Sequence, residues 1–117
     1  MTPKIKDNIA LGQAIKYFTS LGYIVNLPLN DSQNYDLVID DGNSLLKVQV
    51  KYTSQTNNKG EYICGLRTLS GSKVYYVLTQ TDCDLLFCYC ENTNAYLIPT
   101  SEITTKSQLL LQDKYKI

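Results

Sequence analysis

The sequence predicts an α/β (α+β) domain: an N-terminal helix, a mixed but mostly antiparallel sheet, and a short C-terminal helix. Three stretches predict it. IKDNIALGQAIKYFTSL (5–21) sets Ile9, Ala10, Ala14, Tyr17, Phe18 and Leu21 at helical spacing. YDLVIDDGNSLLKVQVK (35–51) reads as two alternating strands about a turn. DLLFCYC (84–90) and AYLIP (95–99) form a hairpin across ENTN. At 117 residues the chain has room for one core and is expected to be a single domain over 1–117.

The elements follow in order. Gly22 is the expected C-terminal cap of the helix. YIVNLP (23–28) is a short strand stopped by Pro28, and LNDSQN is a loop. YDLVID and LLKVQVKYT are the second and third strands, joined by DGNS. SQTNNKG (54–60) is a polar loop, EYICGL (61–66) a fourth strand, and RTLSGSK (67–73) another polar loop. KVYYVLTQ fits either a strand or a short element packed on the sheet. In the tail, TSEITTKSQLLLQ, Ser101 is placed to cap a short helix.

Composition excludes several chemistries. There is no histidine, which removes Ser-His and Cys-His catalytic pairs. Cys64, Cys83, Cys88 and Cys90 fit no zinc spacing and read as buried reduced thiols. MTPKIKDNIALGQ has no signal-peptide shape and no stretch is long and apolar enough to span a bilayer, so a cytoplasmic protein is expected. Net charge is zero, yet between Gly42 and Thr81 Lys47, Lys51, Lys59, Arg67 and Lys73 face only Glu61. That is a net of +4, so the rest of the chain carries −4.

The hairpin concentrates the polar chemistry. Alternation puts Lys47, Gln49 and Lys51 on one face and Leu46, Val48 and Val50 on the other. If the loop is Asp41 to Ser44, Asp36 faces Gln49; if it is only Asp41-Gly42, Asp36 faces Lys47. Either way Asp36 joins the Gln and Lys side. A carboxylate suits Mg²⁺, which keeps several of its waters, and a neighbouring lysine stabilises charge developing on a phosphate. Metal-assisted phosphodiester hydrolysis is therefore one reading, and an ordinary solvated hairpin is the other.

GQAIKYFTSLGYIVNLPL, NYDLVIDDGNSLLKVQVKYT and DCDLLFCYC…AYLIP together resemble the PD-(D/E)XK nucleases, above all the branch of group I intron-associated homing endonucleases. The resemblance covers nearly the whole chain and implies a restriction-endonuclease-like core. It implies that Asp36 is the metal-binding aspartate, that Gln49 stands at the (D/E) position, and that Lys51 is the lysine. Val50 would offer its backbone carbonyl to the metal. Glutamine departs from the wider pattern; its amide oxygen can still ligate but brings no charge. Relatives often carry a helix glutamate eleven residues before the Gly of the Gly-Tyr pair, and here that position is Leu11. Leu11 implies a weakened or disabled metal site, with Asp7, one turn earlier, as a partial substitute.

The resemblance further implies a site-specific double-strand DNA endonuclease of homing type. Its cofactor would be Mg²⁺, with Mn²⁺ able to substitute, and it would act as a homo-oligomer, dimer or tetramer. Lys47, Ser54, Gln55, Asn57, Asn58, Lys59, Arg67, Ser72 and Lys73 are the expected DNA contacts, since such side chains bond phosphates and base edges. AYLIP and QLLLQ, with Leu109 to Leu111, are the expected self-contact surfaces. Two other readings stay open: a non-cleaving DNA-binding module on the same fold, and a structure-selective resolvase or repair nuclease.

Overall fold

The computed structural model describes residues 1–30, 34–69, 75–77, 82–105 and 107–117, with backbone alone for 67–69 and 75–77. Helix α1 (Pro3–Ser20) begins with Thr2 as cap, its hydroxyl accepting the Ile5 N–H at 3.3 Å, and with Pro3 in the first turn. It ends in two reversed bonds, Gly22 N–H to Thr19 O at 3.0 Å and Tyr23 N–H to Phe18 O at 3.1 Å. Those bonds need a left-handed residue after the cap, and Gly22 supplies it at φ 83°.

The main sheet has the order β1-β2-β3-β7-β8. Its strands are β1 (Ile24–Asn26), β2 (Leu37–Asp40), β3 (Leu45–Thr53), β7 (Leu85–Cys90) and β8 (Ala95–Pro99). Neighbours are antiparallel except β3 and β7, which run parallel from Val48↔Leu85 to Thr53↔Cys90. Between them in sequence come β4 (Ile63–Gly65), β5 (Arg67–Leu69) and β6 (Tyr75–Val77). The expected mixed, mostly antiparallel α+β sheet is therefore what the chain forms.

Alternation along the strands produces a core on each face. Under α1, Ala14 and Phe18 pack on Leu37, Ile39, Val48 and Phe87. Phe18 and Phe87 are tilted with centroids 6.1 Å apart, and Tyr17 meets Phe18 edge-on at 5.1 Å. Phe18 and Phe87, both buried, each contribute roughly 1.5–3 kcal/mol by area removed from water. On the other face Leu86, Cys88, Cys90 and Ile98 pack against Cys64, Leu66, Leu109 and Leu111.

Three expectations are corrected. RTLSGSK does not open as a loop: Arg67–Leu69 is β5, paired antiparallel with β6. The apolar part of KVYYVLTQ thus resolves to a strand at Tyr75–Val77, while 70–74 and 78–81 lie outside the described residues. No C-terminal α-helix forms among the described residues. Thr100–Glu102 is a single 3-10 turn entered from Pro99 without a side-chain cap, so Ser101 does not play that part. Ile103 is already extended at φ −85°, ψ 119°, and β9 (Gln108–Leu110) pairs antiparallel with β4. The physical reason is the period of the leucines: Leu109 and Leu111 are buried while Leu110 points outward, which is strand alternation. The self-contact surface expected at QLLLQ is corrected with it, because Leu109 and Leu111 fill the chain's own core.

Candidate active site

β2 accompanies β3 from Leu45 only as far as Val48, where the pairing with β7 begins. β2 begins at Leu37 opposite Val48, so Gln49 to Thr53 keep β7 as their sheet neighbour, and β2 does not continue along their other edge. The first turns of α1 cross that edge. Between them lies a cleft of about 610 Å³, bordered by Lys6, Asp7 and Leu11 from the helix and by residues Gln49 to Gln55 of the strand.

The turn decides where Asp36 goes. Position 40 pairs with 45, so the loop is Asp41 to Ser44, the longer of the two loops considered. Asp41 builds it: its carboxylate accepts the Asn43 N–H at 2.9 Å and the Ser44 N–H at 2.8 Å, bonds that hold it below the ordinary carboxylate value. Asp36 sits one residue before the paired part of β2. Its N–H reaches Val48 O at 2.8 Å, and its Oδ2 accepts the Val50 N–H at 2.7 Å. The side chain thus substitutes for the strand partner that β2 no longer supplies. A strand residue points its N–H and C=O to the same edge, so the Val50 carbonyl faces the cleft side as well.

Burial raises the Asp36 carboxyl above its ordinary 3.8, and the charge of Asp7 adds to the rise. The Val50 N–H and the Lys51 ammonium oppose it. Asp36, Gln49, Val50, Lys51, Asp7 and Leu11 all border this one cleft. Leu11 is half-buried and packs against the core beneath α1.

The donor set is oxygen: the carboxylates of Asp36 and Asp7, the Gln49 amide and the Val50 carbonyl. Among the described residues no three His, Cys, Asp or Glu side chains group closely enough to hold a metal ion. A hard cation that retains much of its water fits two acids and neutral oxygens; a dehydrated, all-protein cage does not.

The remaining expected residues are distributed. Ser54 and Gln55 border the cleft. Lys47 shares the face of Gln49 but lies outside the cleft, its ammonium 5.5 Å from the Tyr35 ring centroid. Asn58 and Lys59 are exposed at the tip of the following loop. Asn57 is half-buried, and its amide is engaged within that loop: Oδ1 accepts from Lys59 and Glu61 N–H, each at 2.9 Å, while Nδ2 donates to Glu61 at 3.1 Å. Arg67 lies on β5, and Ser72 and Lys73 lie outside the described residues.

Sequence reasoning missed Lys6, Asn8 and Tyr52, which also border the cleft. A signal for Lys6 exists in its position beside Asp7 on the helix. Tyr52 carries none, since alternation puts it on the face opposite Lys51; both reach the cleft because β2 does not continue along the strand edge between the faces. The DCD motif is structural as far as it is described. Asp82 accepts from Asn34 at 2.8 Å, and Asp84 accepts the Lys47 N–H at 2.8 Å, fixing β7 beside β3. The four cysteines are free and buried, and burial pushes the Cys83 thiol up to about 11. No helix among the described residues is long and apolar enough to cross a membrane.

A family model described as PD-(D/E)XK endonuclease matches residues 1–116. No curated protein matches the chain. Among solved structures, that of a bacterial homing endonuclease, I-Ssp6803I, is similar with a TM-score of 0.81 and 30% identity, over 97% of this chain and 80% of that one.

Proposed function

The chain belongs to the PD-(D/E)XK endonuclease family, and from that premise we propose that it is a metal-dependent, site-specific double-strand DNA endonuclease of homing type. One observation carries the reading: Asp36, Gln49, Val50 and Lys51 border one cleft of about 610 Å³ with Asp7 on its opposite wall. Asp36, Gln49 and the Val50 carbonyl would hold the cation, and Asp7 would contribute the second negative charge. When bound, Mg²⁺, or Mn²⁺ in its place, supplies Lewis-acid polarisation of the phosphate. The Lys51 ammonium stabilises charge developing on the phosphate oxygens, and the Gln49 amide orients the attacking water.

DNA passes from the cleft towards the basic segment. Ser54 and Gln55 contact it first, then Asn58 and Lys59, with Asn57 shaping the loop that presents them. Lys47, Arg67, Ser72 and Lys73 complete the segment's interaction with the duplex. Two strands require two sites, so the working form is a homo-oligomer, dimer or tetramer, of this single domain. Exposed Ile24, Leu27 and Leu29 at the β1 edge support self-association. Analytical ultracentrifugation tests it.

The decisive experiment is cleavage of a randomised duplex pool with Mg²⁺ or with EDTA, by this chain and its Lys51→Ala variant. Discrete products that require metal and vanish in the variant support the mechanism. Products that persist in Lys51→Ala with EDTA reject it.

A specific observation favours a second reading. Leu11 puts an apolar side chain in the cleft and Gln49 is neutral, so two carboxylates carry the site's negative charge. A chain weakened enough in this way is a DNA-binding module that no longer cuts. Its sign is salt-sensitive duplex retention without metal-dependent products.

A further inference from the structure

The cleft is longer than the reacting group needs. Along its strand wall, β3 runs from Gln49, beside Asp36, to Thr53, and four strand steps of about 3.3 Å make roughly 13 Å before Ser54 and Gln55 continue the border. At about 3.4 Å of rise per nucleotide along one strand, that length accommodates several nucleotides. Among the described residues bordering it, the cations are Lys51, at the reacting end, and Lys6, on α1.

Lys6 is held in place. It lies in the first turns of α1, where a lysine is free to extend into water, yet it is half-buried with its ammonium 5.7 Å from the Tyr52 ring centroid. Tyr52 is itself set against Tyr89, with centroids 6.3 Å apart. Asp7, the next residue on the helix, acts electrostatically on Asp36. The helix therefore presents an acid to the reacting end and an ordered cation farther along the same cleft.

We propose that Lys6, seated over the Tyr52 ring, is a second phosphate contact of the cleft, gripping the backbone of the bound strand beside the phosphate that reacts. The inference rests on the endonuclease reading and adds to it a positioning residue. A cation fixed before DNA arrives loses little side-chain freedom on binding, and it fixes the register of the strand against Lys51. The competing account is that the lysine stem only covers the tyrosine ring.

The test is anisotropy of a fluorescein-labelled duplex of random sequence in EDTA, across a KCl series, because phosphate contacts are sequence-independent and show in the salt slope. The chain is compared with its Lys6→Ala, Lys6→Gln, Lys6→Arg and Lys51→Ala variants, each melted in parallel. Lys6→Ala and Lys6→Gln are expected to weaken binding and reduce the steepness of log K against log salt by about 1, with Lys6→Arg restoring it. An unchanged slope in both Lys6→Ala and Lys6→Gln, with a reduced slope in Lys51→Ala, overturns the proposal and leaves the endonuclease reading standing. A lowered melting temperature with an unchanged slope also overturns it, in favour of the covering role. If the unmodified chain retains no duplex, the proposal falls together with the reading beneath it.

Discussion

The Asp36 carboxylate accepts the Val50 N–H at 2.7 Å, across the point where β2 stops accompanying β3. One side chain thereby closes a gap in the backbone ladder and brings a negative charge to the strand edge that borders the cleft. The same contact keeps one carboxylate oxygen occupied and fixes the orientation of the other.

These two functions separate by substitution. Asp36→Asn retains an amide oxygen that can accept from Val50, so the fold is expected to survive while divalent-cation affinity falls at least tenfold. Asp36→Ala also strands the Val50 N–H, a loss of about 1–3 kcal/mol. Calorimetric titration with Mg²⁺ and thermal melts check the pair. Equal melting temperatures for the two variants would count against the hydrogen-bonding role.

Acid dependence follows from the same residue. Burial leads the causes that raise its pKa, so the folded chain keeps this proton to higher pH than the unfolded chain does. Folding then takes up a proton between 3.8 and the raised value, and the associated stability is full below 3.8 and lost as pH rises through that value. Asp36→Asn has no such proton. Its melting temperature relative to the unmodified chain is expected to improve as pH rises across the window, and carboxyl NMR of Asp36 gives its midpoint. A midpoint at or below 3.8 would refute the assignment.

How much of this could be read from the residues differs by region, for physical reasons. β3 runs Leu45–Thr53, the residues alternation selects, because a half-buried strand beside an Asp-Gly turn leaves little freedom in period. Choosing between the two loops required knowing that Asp41 bonds Asn43 and Ser44, which spacing alone does not encode. The tail misled because three consecutive leucines satisfy a helix face and a strand face equally; only β4, far off in sequence, selects the strand. β5 was hidden because RTLSGSK has the composition of a turn. The grouping of Asp36, Gln49 and Lys51 was legible locally, whereas Lys6 and Tyr52 meet through the crossing of α1 over β3.

The strand assignment of the tail has its own test. Leu111→Ala removes a buried side chain and is expected to destabilise the chain by about 2–5 kcal/mol, while Leu110→Ala, on the outer side of β9 and 37% exposed, is expected to cost about 1 kcal/mol. Chemical denaturation measures both. Similar losses at the two positions would contradict a two-residue period.

Gly22 fixes how α1 leaves the sheet. At φ 83° an added Cβ meets no neighbouring atom, so Gly22→Ala isolates backbone strain from crowding. It is expected to lose about 1–2 kcal/mol. Its cation affinity should remain unchanged, because the first turns of the helix border the cleft and the last does not. Weakened Mg²⁺ binding in a folded Gly22→Ala chain would mean that the site depends on the helix's far end.

Leu11→Glu is the most informative change at the cleft. Leucine there contributes contacts to the core under α1, so glutamate sacrifices some packing. It also adds a third carboxylate near Asp36 and Asp7, and the repulsion among them disfavours the metal-free fold at neutral pH. A divalent cation relieves that repulsion, and a ligand that binds only the folded chain raises its melting temperature in proportion to its affinity. Leu11→Glu is therefore expected to melt below the unmodified chain in EDTA, to gain more from Mg²⁺, and to cut duplex DNA faster. An equal Mg²⁺-induced shift in both chains, with no gain in cleavage, would mean that Asp36, Asp7 and Gln49 already hold the cation as well as this cleft allows, and the idea of a site weakened at Leu11 would have to be given up.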